Sequence, residues 1–304
     1  MARLRYFFTI MFFVCSFIEL HAKEISLSFD DAPRDGSQYF SGIQRTKALI
    51  KSLNEAKVKR VAFYLNPVRM NNPERVDRVK SYALAGHVLG NHSYDHPNLK
   101  DVGVEAFVQN ILKAHSAIKD LDGFKPWFRF PFLSKGKTSE EYSKVSKALE
   151  EVNYMDACIT IDNFDWYMDS LFQNALKDKK KVNFEKLKAA YVEVLLDSIN
   201  FYDSLAIKVI GRSPKHVLLL HENDLNALFL PNLVQALKEQ GWKIITPEEA
   251  YSDPIWAKTP KTLHHGDGRI ASLAEEAQSF NPIRDKFQNA EVIDAYFKNN
   301  NIFE

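Results

Sequence analysis

The 304-residue chain contains only two cysteines. Cys15 lies among the first 22 residues, and the other cysteine is Cys158. If the N-terminal segment is removed on export, one thiol remains, and one thiol cannot form an internal disulfide. This count excludes a disulfide-stapled scaffold and predicts that Cys158 is a buried, unreactive thiol.

The chain also lacks an excess of charge of one sign. It has 40 basic and 39 acidic residues, for a formal net charge of +1. Residues 1–22 contain Arg3, Arg5 and Glu19, so 38 residues of each sign follow them. A balanced chain does not suit nucleic acid or an anionic membrane as a partner, since both are bound through an excess of positive charge. A neutral ligand such as a sugar is a better match.

The N-terminal apolar run is too short to span a membrane. It extends from Tyr6 to Ile18, whereas a spanning helix needs ~20 residues. Arg3 and Arg5 precede the run, and a polar stretch ending at Ala22 follows it, which is typical of a secretory signal. We therefore predict cleavage after Ala22 and export to the periplasm or the cell exterior, without stable membrane insertion. An uncleaved anchor is the alternative.

The remaining chain has the composition of a folded protein with a full-sized core, with 45% apolar and 26% charged residues. Short β-rich segments alternate with segments of helical periodicity. We expect strands at Ile25–Phe29, Val58–Leu65, His87–Gly90, Trp127–Phe132, Met155–Ile161, Val217–Leu220 and Trp242–Thr246. Seven strand-helix units in succession predict an α/β fold, a distorted (β/α)7 barrel that is closed or nearly closed.

Three further expectations concern domain organisation. Residues 1–22 form the signal peptide, 23–257 the main domain, and 258–304 a helical extension packed on the outside. Residues 167–182 are polar and rich in lysine, and are expected to form a long loop that either shapes a binding cleft or is simply solvated. The pair His264–His265 in the extension is expected to be solvent-exposed.

Polar side chains follow several of the predicted strands. The positions concerned are Asp30–Asp31, His92 and His96, Arg129, Asp162 and Asp165, and His221. The carboxyl ends of barrel strands share one face, so these groups are expected to lie together there. His92 and His96 are four residues apart, so on one helical turn ended by Pro97 both imidazoles could reach a single cation. The histidine pair alone is weak evidence for a metal site. Like the other polar groups, however, it follows a predicted strand, and this shared position favours a metal site.

These residues also form five short motifs in order along the chain. They are Ser28-Phe29-Asp30-Asp31, the segment from His92 to His96, Arg129-Phe130-Pro131-Phe132, the segment from Asp162 to Trp166, and Leu219-Leu220-His221. With them the chain resembles the polysaccharide deacetylases of carbohydrate esterase family 4, which share the NodB-homology fold. The resemblance covers roughly residues 24–253. It implies that Asp31, His92 and His96 bind a divalent metal, with zinc favoured and cobalt or nickel as alternatives.

The resemblance also implies roles for the other motif residues. Asp30 would be the general base and His221 the acid that protonates the departing amine. Arg129 would orient Asp30 and keep it ionised, and Asp165 would pair with Arg129. The substrate would contact Trp166, Leu219 and Pro131, the first two forming a small apolar pocket for the acetyl methyl group.

The implied activity is removal of N-acetyl groups from amino sugars of a polysaccharide such as peptidoglycan or chitin. Two alternatives stay open: hydrolysis of a smaller amide or formamide, and a non-catalytic glycan-binding relative. The last motif departs from the family pattern, because it continues as Glu222-Asn223-Asp224. The added carboxylates would either select an unusual substrate or cap the next helix.

Overall fold

The structure is a computed structural model that describes residues 22–260, 266–278 and 280–304. The predicted signal peptide, apart from Ala22, and the pair His264–His265 lie outside these residues. Among the described helices, none is both long and apolar enough to cross a membrane.

The described chain contains a seven-stranded parallel sheet. Its strands are β1 (Lys23–Ala32), β2 (Ala62–Leu65), β3 (Val88–Asn91), β4 (Phe124–Phe128), β5 (Met155–Asp156), β6 (His216–His221) and β7 (Trp242–Ile244). Six of them follow the order β5-β4-β3-β2-β1-β6, and β7 pairs with the start of β1. An isolated bridge between Ile161 and Leu218 joins the segment after β5 to β6. The predicted α/β fold is confirmed, in the form of parallel strands that curl into a half-barrel.

The helices alternate with the strands along the chain. They are α1 (Gly42–Glu55), α2 (Pro73–Leu84), α3 (Leu99–Val102), α4 (Val104–Ile118), α5 (Ser139–Glu151), α6 (Asp165–Lys177), α7 (Phe184–Ile210), α8 (Asp224–Glu239), α9 (Pro247–Tyr251), α10 (Gly268–Ala277) and α11 (Ala290–Asn299). Short 3-10 turns lie at Pro67–Arg69, Pro131–Leu133 and Pro254–Ala257.

The fifth strand is much shorter than its sequence predicts. The expected strand Met155–Ile161 pairs with β4 only over Met155–Asp156. Beyond this point the backbone carbonyl of Ala157 accepts hydrogen bonds from the side chains of Arg129 and Tyr251 instead of from a neighbouring strand. The side chains of Arg129 and Tyr251 thus take the place of a strand as donors to this carbonyl, and sequence periodicity does not reveal such a substitution.

The prediction of a loop over residues 167–182 is wrong, because α6 occupies most of that segment. The helix buries Met168, Phe172 and Ala175, which recur at helical spacing. The lysines that suggested a loop are concentrated at its end, at Lys177 and in the exposed run Lys179–Lys181.

Capping residues define the ends of two other helices. Asn183 caps the start of α7 by accepting from the backbone N–H of Lys186, and Gly211 ends it with a left-handed φ of 78°. Thr138 and Glu141 form a capping box at the start of α5.

The last two helices share the main core instead of lying on the outside of it. Ile270 and Ala274 of α10, Ile293 and Phe297 of α11, and Ile302 are buried in the same apolar cluster as the central strands. This placement brings the segment after residue 266 close to the carboxyl ends of the strands. Cys158 is buried and unpaired, as predicted.

Candidate active site

The pairing of β1 with β6 places two of the predicted site residues side by side. Asp30 is in register with His221, and Ser28 is in register with Leu219. Side chains two residues apart on a strand point to the same face, so these four side chains share one face of the sheet. The alternation of apolar and polar residues in β1 therefore carries Asp30 to the cleft while burying Phe29 in the core.

Asp31 also reaches this cleft, as the sequence predicts for adjacent acids at a strand end. Its φ is 71°, in the left-handed region that aspartate tolerates better than most residues. The ladder between β1 and β2 shifts register between Phe29 and Ala32, where this turn occurs. The distortion allows two adjacent carboxylates to line one cavity.

The two histidines converge on Asp31, but not through a helical turn. Residues 92–98 form an irregular loop in which Ser93 and His96 have φ values of 66° and 63°. The hydroxyl of Ser93 accepts from the backbone N–H of His96 at 3.1 Å, and Ser93 donates its own N–H to Asn91 at 2.8 Å. These hydrogen bonds fix the loop. The predicted convergence is therefore present, and the predicted helical turn is wrong.

The environment of Asp31 fits a bound cation. Its Oδ1 is buried without a hydrogen-bond partner, at 3.7 Å from His92 Nε2 and 3.4 Å from His96 Nε2. His92 Nδ1 donates to the carbonyl of Arg129 at 2.8 Å, which leaves the lone pair of a neutral ring on Nε2. Burial lowers the pKa of His92 and of His96 to about 4, so both rings are neutral at pH 7. An anionic oxygen facing two such rings needs a cation, and ligand atoms within 4.8 Å of one another suit a single ion.

Arg129 is completely buried beneath this cluster. Its Nη1 donates to Asp30 at 3.0 Å, and its Nη2 donates to the hydroxyls of Ser28 and Tyr251, each at 3.3 Å. The guanidinium also lies over the ring of Tyr64 at 4.2 Å. The predicted contact between Arg129 and Asp30 is thus present.

The effect of Arg129 on Asp30 is smaller than the sequence suggested. Burial raises the pKa of Asp30 to about 6, although Arg129 and then His221 act in the opposite direction. The carboxyl group is therefore ionised at neutral pH. Its pKa is nevertheless close enough to neutral pH for the group to accept and release a proton. Such a value is typical of a general base.

Asp165 pairs with His221, and not with Arg129 as predicted. Its Oδ1 accepts from His221 Nδ1 at 2.7 Å, and its Oδ2 accepts from the backbone N–H of the same histidine at 2.8 Å. The side chains of Asn223 and Asn226 also donate to this carboxylate. Burial alone would lower the pKa of His221, but the charge and hydrogen bond of Asp165, together with the charges of Asp31 and Asp30, outweigh it and raise the value to about 9. The imidazole is therefore protonated at neutral pH.

These groups line a cleft of about 440 Å³. Its wall contains Asp30, Asp31, Arg34, His92, His96, Phe132, Leu133, Asp162, Phe164, Trp166, Leu219, His221 and Gly266. Trp166 is 43% exposed at the rim, and Leu219 is buried in the floor. Pro131 is buried and is not part of the described wall; the next two residues, Phe132 and Leu133, take its expected place there through φ values of 56° and 49°.

Three residues were not predicted from the sequence: one in the wall of the cleft and two that hydrogen-bond to site residues from outside it. Arg34 lies in the wall, and the only sequence signal for it is its position three residues after Asp31. Tyr251 reaches Arg129 from α9, and Gln288 donates to Asp162 at 2.8 Å from the C-terminal segment. Neither of the last two belongs to a motif, so only the fold reveals them.

Glu222 and Asp224 are buried ion-pair residues. Glu222 accepts from Arg78 at 2.9 Å and from Tyr82 at 2.6 Å. Asp224 accepts from Arg45 at 2.6 Å. Neither carboxylate lines the cleft, so the direct contact with substrate that was one expectation for them is absent.

Gly42 is required by the position of Arg78. A Cβ at residue 42 would lie 2.1 Å from Arg78 Nη1, and the ion pair with Glu222 prevents the guanidinium from moving away. We expect Gly42→Ala to lower the free energy of unfolding by ~1–3 kcal/mol, measured by urea denaturation. Gly36→Ala is the matched control, since its Cβ would meet no atom closer than 3.4 Å. Equal stability of the two variants would contradict this account of the ion pair.

Comparison with known proteins agrees with the motifs. Residues 18–150 match the family model described as polysaccharide deacetylase. The resemblance to that family is confirmed. The peptidoglycan-N-acetylglucosamine deacetylase of Bacillus cereus is 31% identical over 144 residues, which cover 47% of this chain and 46% of that protein. The corresponding deacetylase of Listeria monocytogenes is 25% identical over 235 residues, covering 77% of this chain and 40% of that one. This chain thus spans less than half the length of either relative.

Solved structures share the fold at low sequence identity. A family 4 carbohydrate esterase from Streptomyces lividans in complex with acetate matches with a TM-score of 0.50 and 18% identity, covering 75% of this chain and 95% of that one. A CE4 family pseudoenzyme from Bacillus anthracis matches with a TM-score of 0.52 and 19% identity, covering 76% and 66%. An esterase and a pseudoenzyme thus share this fold, so catalysis has to be argued from the side chains of the site.

Proposed function

We propose that this protein is a metal-dependent hydrolase that removes N-acetyl groups from amino sugars of a peptidoglycan-like or chitin-like polysaccharide. The observation that carries the proposal is the arrangement of Asp30 and His221 beside the triad of Asp31, His92 and His96. Asp30 is ionised at neutral pH, as a general base must be, and His221 is protonated, as a general acid must be. A protein that only binds glycan has no need for this pair.

Asp31, His92 and His96 would hold the divalent ion, which we propose to be zinc because two imidazoles and a carboxylate suit it. When bound, such an ion supplies Lewis acidity to water and to a carbonyl oxygen. The remaining chemistry belongs to the chain. Asp30 takes a proton from the attacking water, and Arg129 holds the carboxylate in position through the 3.0 Å hydrogen bond.

His221 carries the proton that the departing amine requires. Asp165 binds Nδ1, so the second ring nitrogen, Nε2, remains to donate that proton toward the cleft. Asp165 is therefore proposed to orient His221 and stabilise its charged form. Trp166 and Leu219 supply apolar surface for the acetyl methyl group, a role that we also propose for Phe132 in place of Pro131.

The pH dependence of the reaction tests the pairing of His221 with Asp165. Since His221 must be protonated, kcat/KM is expected to fall as pH rises through about 9. Asp165→Asn removes the negative charge that raises this pKa, so the alkaline limb should move to lower pH. A profile measured from pH 5 to 10 shows the shift. An unchanged alkaline limb in the variant would contradict the assignment of His221 as the acid.

The proposed function is tested by acetate release. The purified protein, from residue 23, is stripped with a chelator, reloaded with Zn²⁺, Co²⁺ or Ni²⁺, and incubated with chitin oligomers, peptidoglycan, acetylated xylan and small N-acetyl or N-formyl amides. We expect metal-dependent release from the N-acetylated glycans. Release only from the small amides would instead support an amidase, and glycan binding without any release would support a binding module.

We also propose export of the chain to the periplasm or exterior, on the basis of the N-terminal 22 residues. We further propose that the chain is divided into a main domain over residues 23–257 and an extension over residues 258–304. The physical basis of this division is that seven strand-helix units precede the extension. Removal of the extension would expose the apolar surface against which Ile270 and Ile293 pack.

A further inference from the structure

Arg34 brings a positive charge into the wall of the cleft, on the same wall as Asp31. The described contacts of the chain give its guanidinium no hydrogen bond and no ion pair, although the side chain is only partly exposed. Other charged residues of the wall have polar partners within the protein. Asp30 contacts Arg129, His221 contacts Asp165, and Asp31 faces the two histidines.

The backbone of Arg34 is held by two buried ion pairs. Its N–H donates to Glu222, and its carbonyl accepts from Arg78 at 2.9 Å and from Arg45 at 3.5 Å. Arg78 pairs with Glu222, and Arg45 pairs with Asp224; all four side chains are at most 3% exposed. Burying ionic groups is costly unless each is fully paired and hydrogen-bonded.

The same acids fix the rest of the segment that carries Arg34. Asp224 accepts from the hydroxyl of Ser37 and from the backbone N–H of Phe40 at 3.2 Å. Glu222 is also hydrogen-bonded to β1, because its backbone N–H donates to the carbonyl of Asp30 at 3.1 Å. The segment from Arg34 to Phe40 is therefore fixed relative to Asp30, and the side chain of Arg34 projects from a rigid base.

We propose that Arg34 is a specificity-determining residue that binds a carboxylate of the substrate glycan. This inference rests on the proposed function and narrows its substrate class to N-acetylated glycans that carry a carboxylate close to the reacting acetamido group. A guanidinium matches a carboxylate in shape and charge and can bind it through two parallel hydrogen bonds.

The extended sequence of the last motif thus acquires a function. Glu222 and Asp224 do not touch substrate; they are positioning residues that act through the backbone of Arg34. Under this proposal the two carboxylates take part in selecting the substrate, one of the two interpretations left open by the sequence, through the backbone of Arg34.

The test compares two matched substrates in the zinc-loaded protein. One is a glycan oligomer with alternating N-acetylglucosamine and lactyl-ether sugars that bear free carboxylates, and the other is the same oligomer with those carboxylates converted to neutral methylamides. We expect the wild type to prefer the acidic oligomer in kcat/KM, and Arg34→Gln to reduce that preference by roughly tenfold to hundredfold. Lys47→Gln, which removes a positive charge from the exposed face of α1, should keep the wild-type preference.

Each outcome has a separate meaning. An equal acidic-to-neutral ratio in the wild type and Arg34→Gln, with acetate released in both, overturns the role of Arg34 and leaves the proposed hydrolase intact. No acetate from either oligomer in the wild type overturns the proposed function itself. Arg34→Lys should retain part of the preference, because it keeps the charge but not the bidentate geometry. Thermal melting of all three variants shows that they are folded.

Discussion

Asp30→Asn is expected to lower the rate of acetate release by roughly 10²–10⁴-fold, the usual contribution of a general base. The substitution keeps the shape of the side chain and its ability to accept a hydrogen bond from Arg129. It removes the only function that an amide cannot perform, which is taking a proton from water. The measurement is kcat on the best glycan substrate at a pH between 7 and 8, where the wild-type carboxyl group is ionised.

Two further measurements show that the loss is chemical. The variant should still bind one equivalent of zinc, because Asp31, His92 and His96 are unchanged. Asp120→Asn, the same change at an exposed position outside the cleft, should retain full activity. If Asp30→Asn binds zinc and releases acetate at the wild-type rate, Asp30 is not the base.

His96→Ala is expected to weaken zinc binding by more than the roughly 10–100-fold that loss of an outer hydrogen-bonding partner produces, because it removes one of three ligands. Its imidazole is 23% exposed and packs edge-on against Phe132, with ring centroids 4.5 Å apart. The fold should therefore tolerate the truncation. Isothermal titration with Zn²⁺ measures the change in affinity, and acetate release should fall in parallel at limiting metal.

The matched control is His115→Ala in α4. His115 lies outside the cleft and contacts Tyr154, so its removal should leave zinc affinity at the wild-type value. Equal zinc affinity of His96→Ala and the wild type would place the metal elsewhere.

The sequence predicted the parts of the site that depend on strand periodicity. Alternation in β1 placed Asp30 on the cleft face, and the strand ending at His221 placed the acid beside it. The position of a polar residue directly after a strand is a local property of the sequence. It is found even where the strand is shorter than expected. The parallel α/β architecture follows from the same alternation of strands and helices.

The sequence did not predict features set by individual backbone angles. Ser93 and His96 adopt left-handed conformations, so the histidine pair converges through a loop instead of a helix. Phe132 and Leu133 do the same and displace Pro131 from the wall. Nothing in residue spacing distinguishes these conformations from a helical turn.

The sequence also did not predict which buried charged residues pair with each other. Asp165 could have paired with either Arg129 or His221, and the choice depends on the course of the chain after Ile161, which bridges to Leu218 on the strand that ends at His221. The contact of Gln288 with Asp162 joins residues 126 positions apart. Such contacts require the packed structure.

The most direct test of the account is an X-ray structure of the protein crystallised with Zn²⁺ and measured at the zinc absorption edge. We predict one anomalous peak in the cleft, ~2.0–2.2 Å from a carboxylate oxygen of Asp31 and from Nε2 of His92 and His96, with Asp30 facing it. A cleft without a peak, or a peak bound by other residues, would contradict the account.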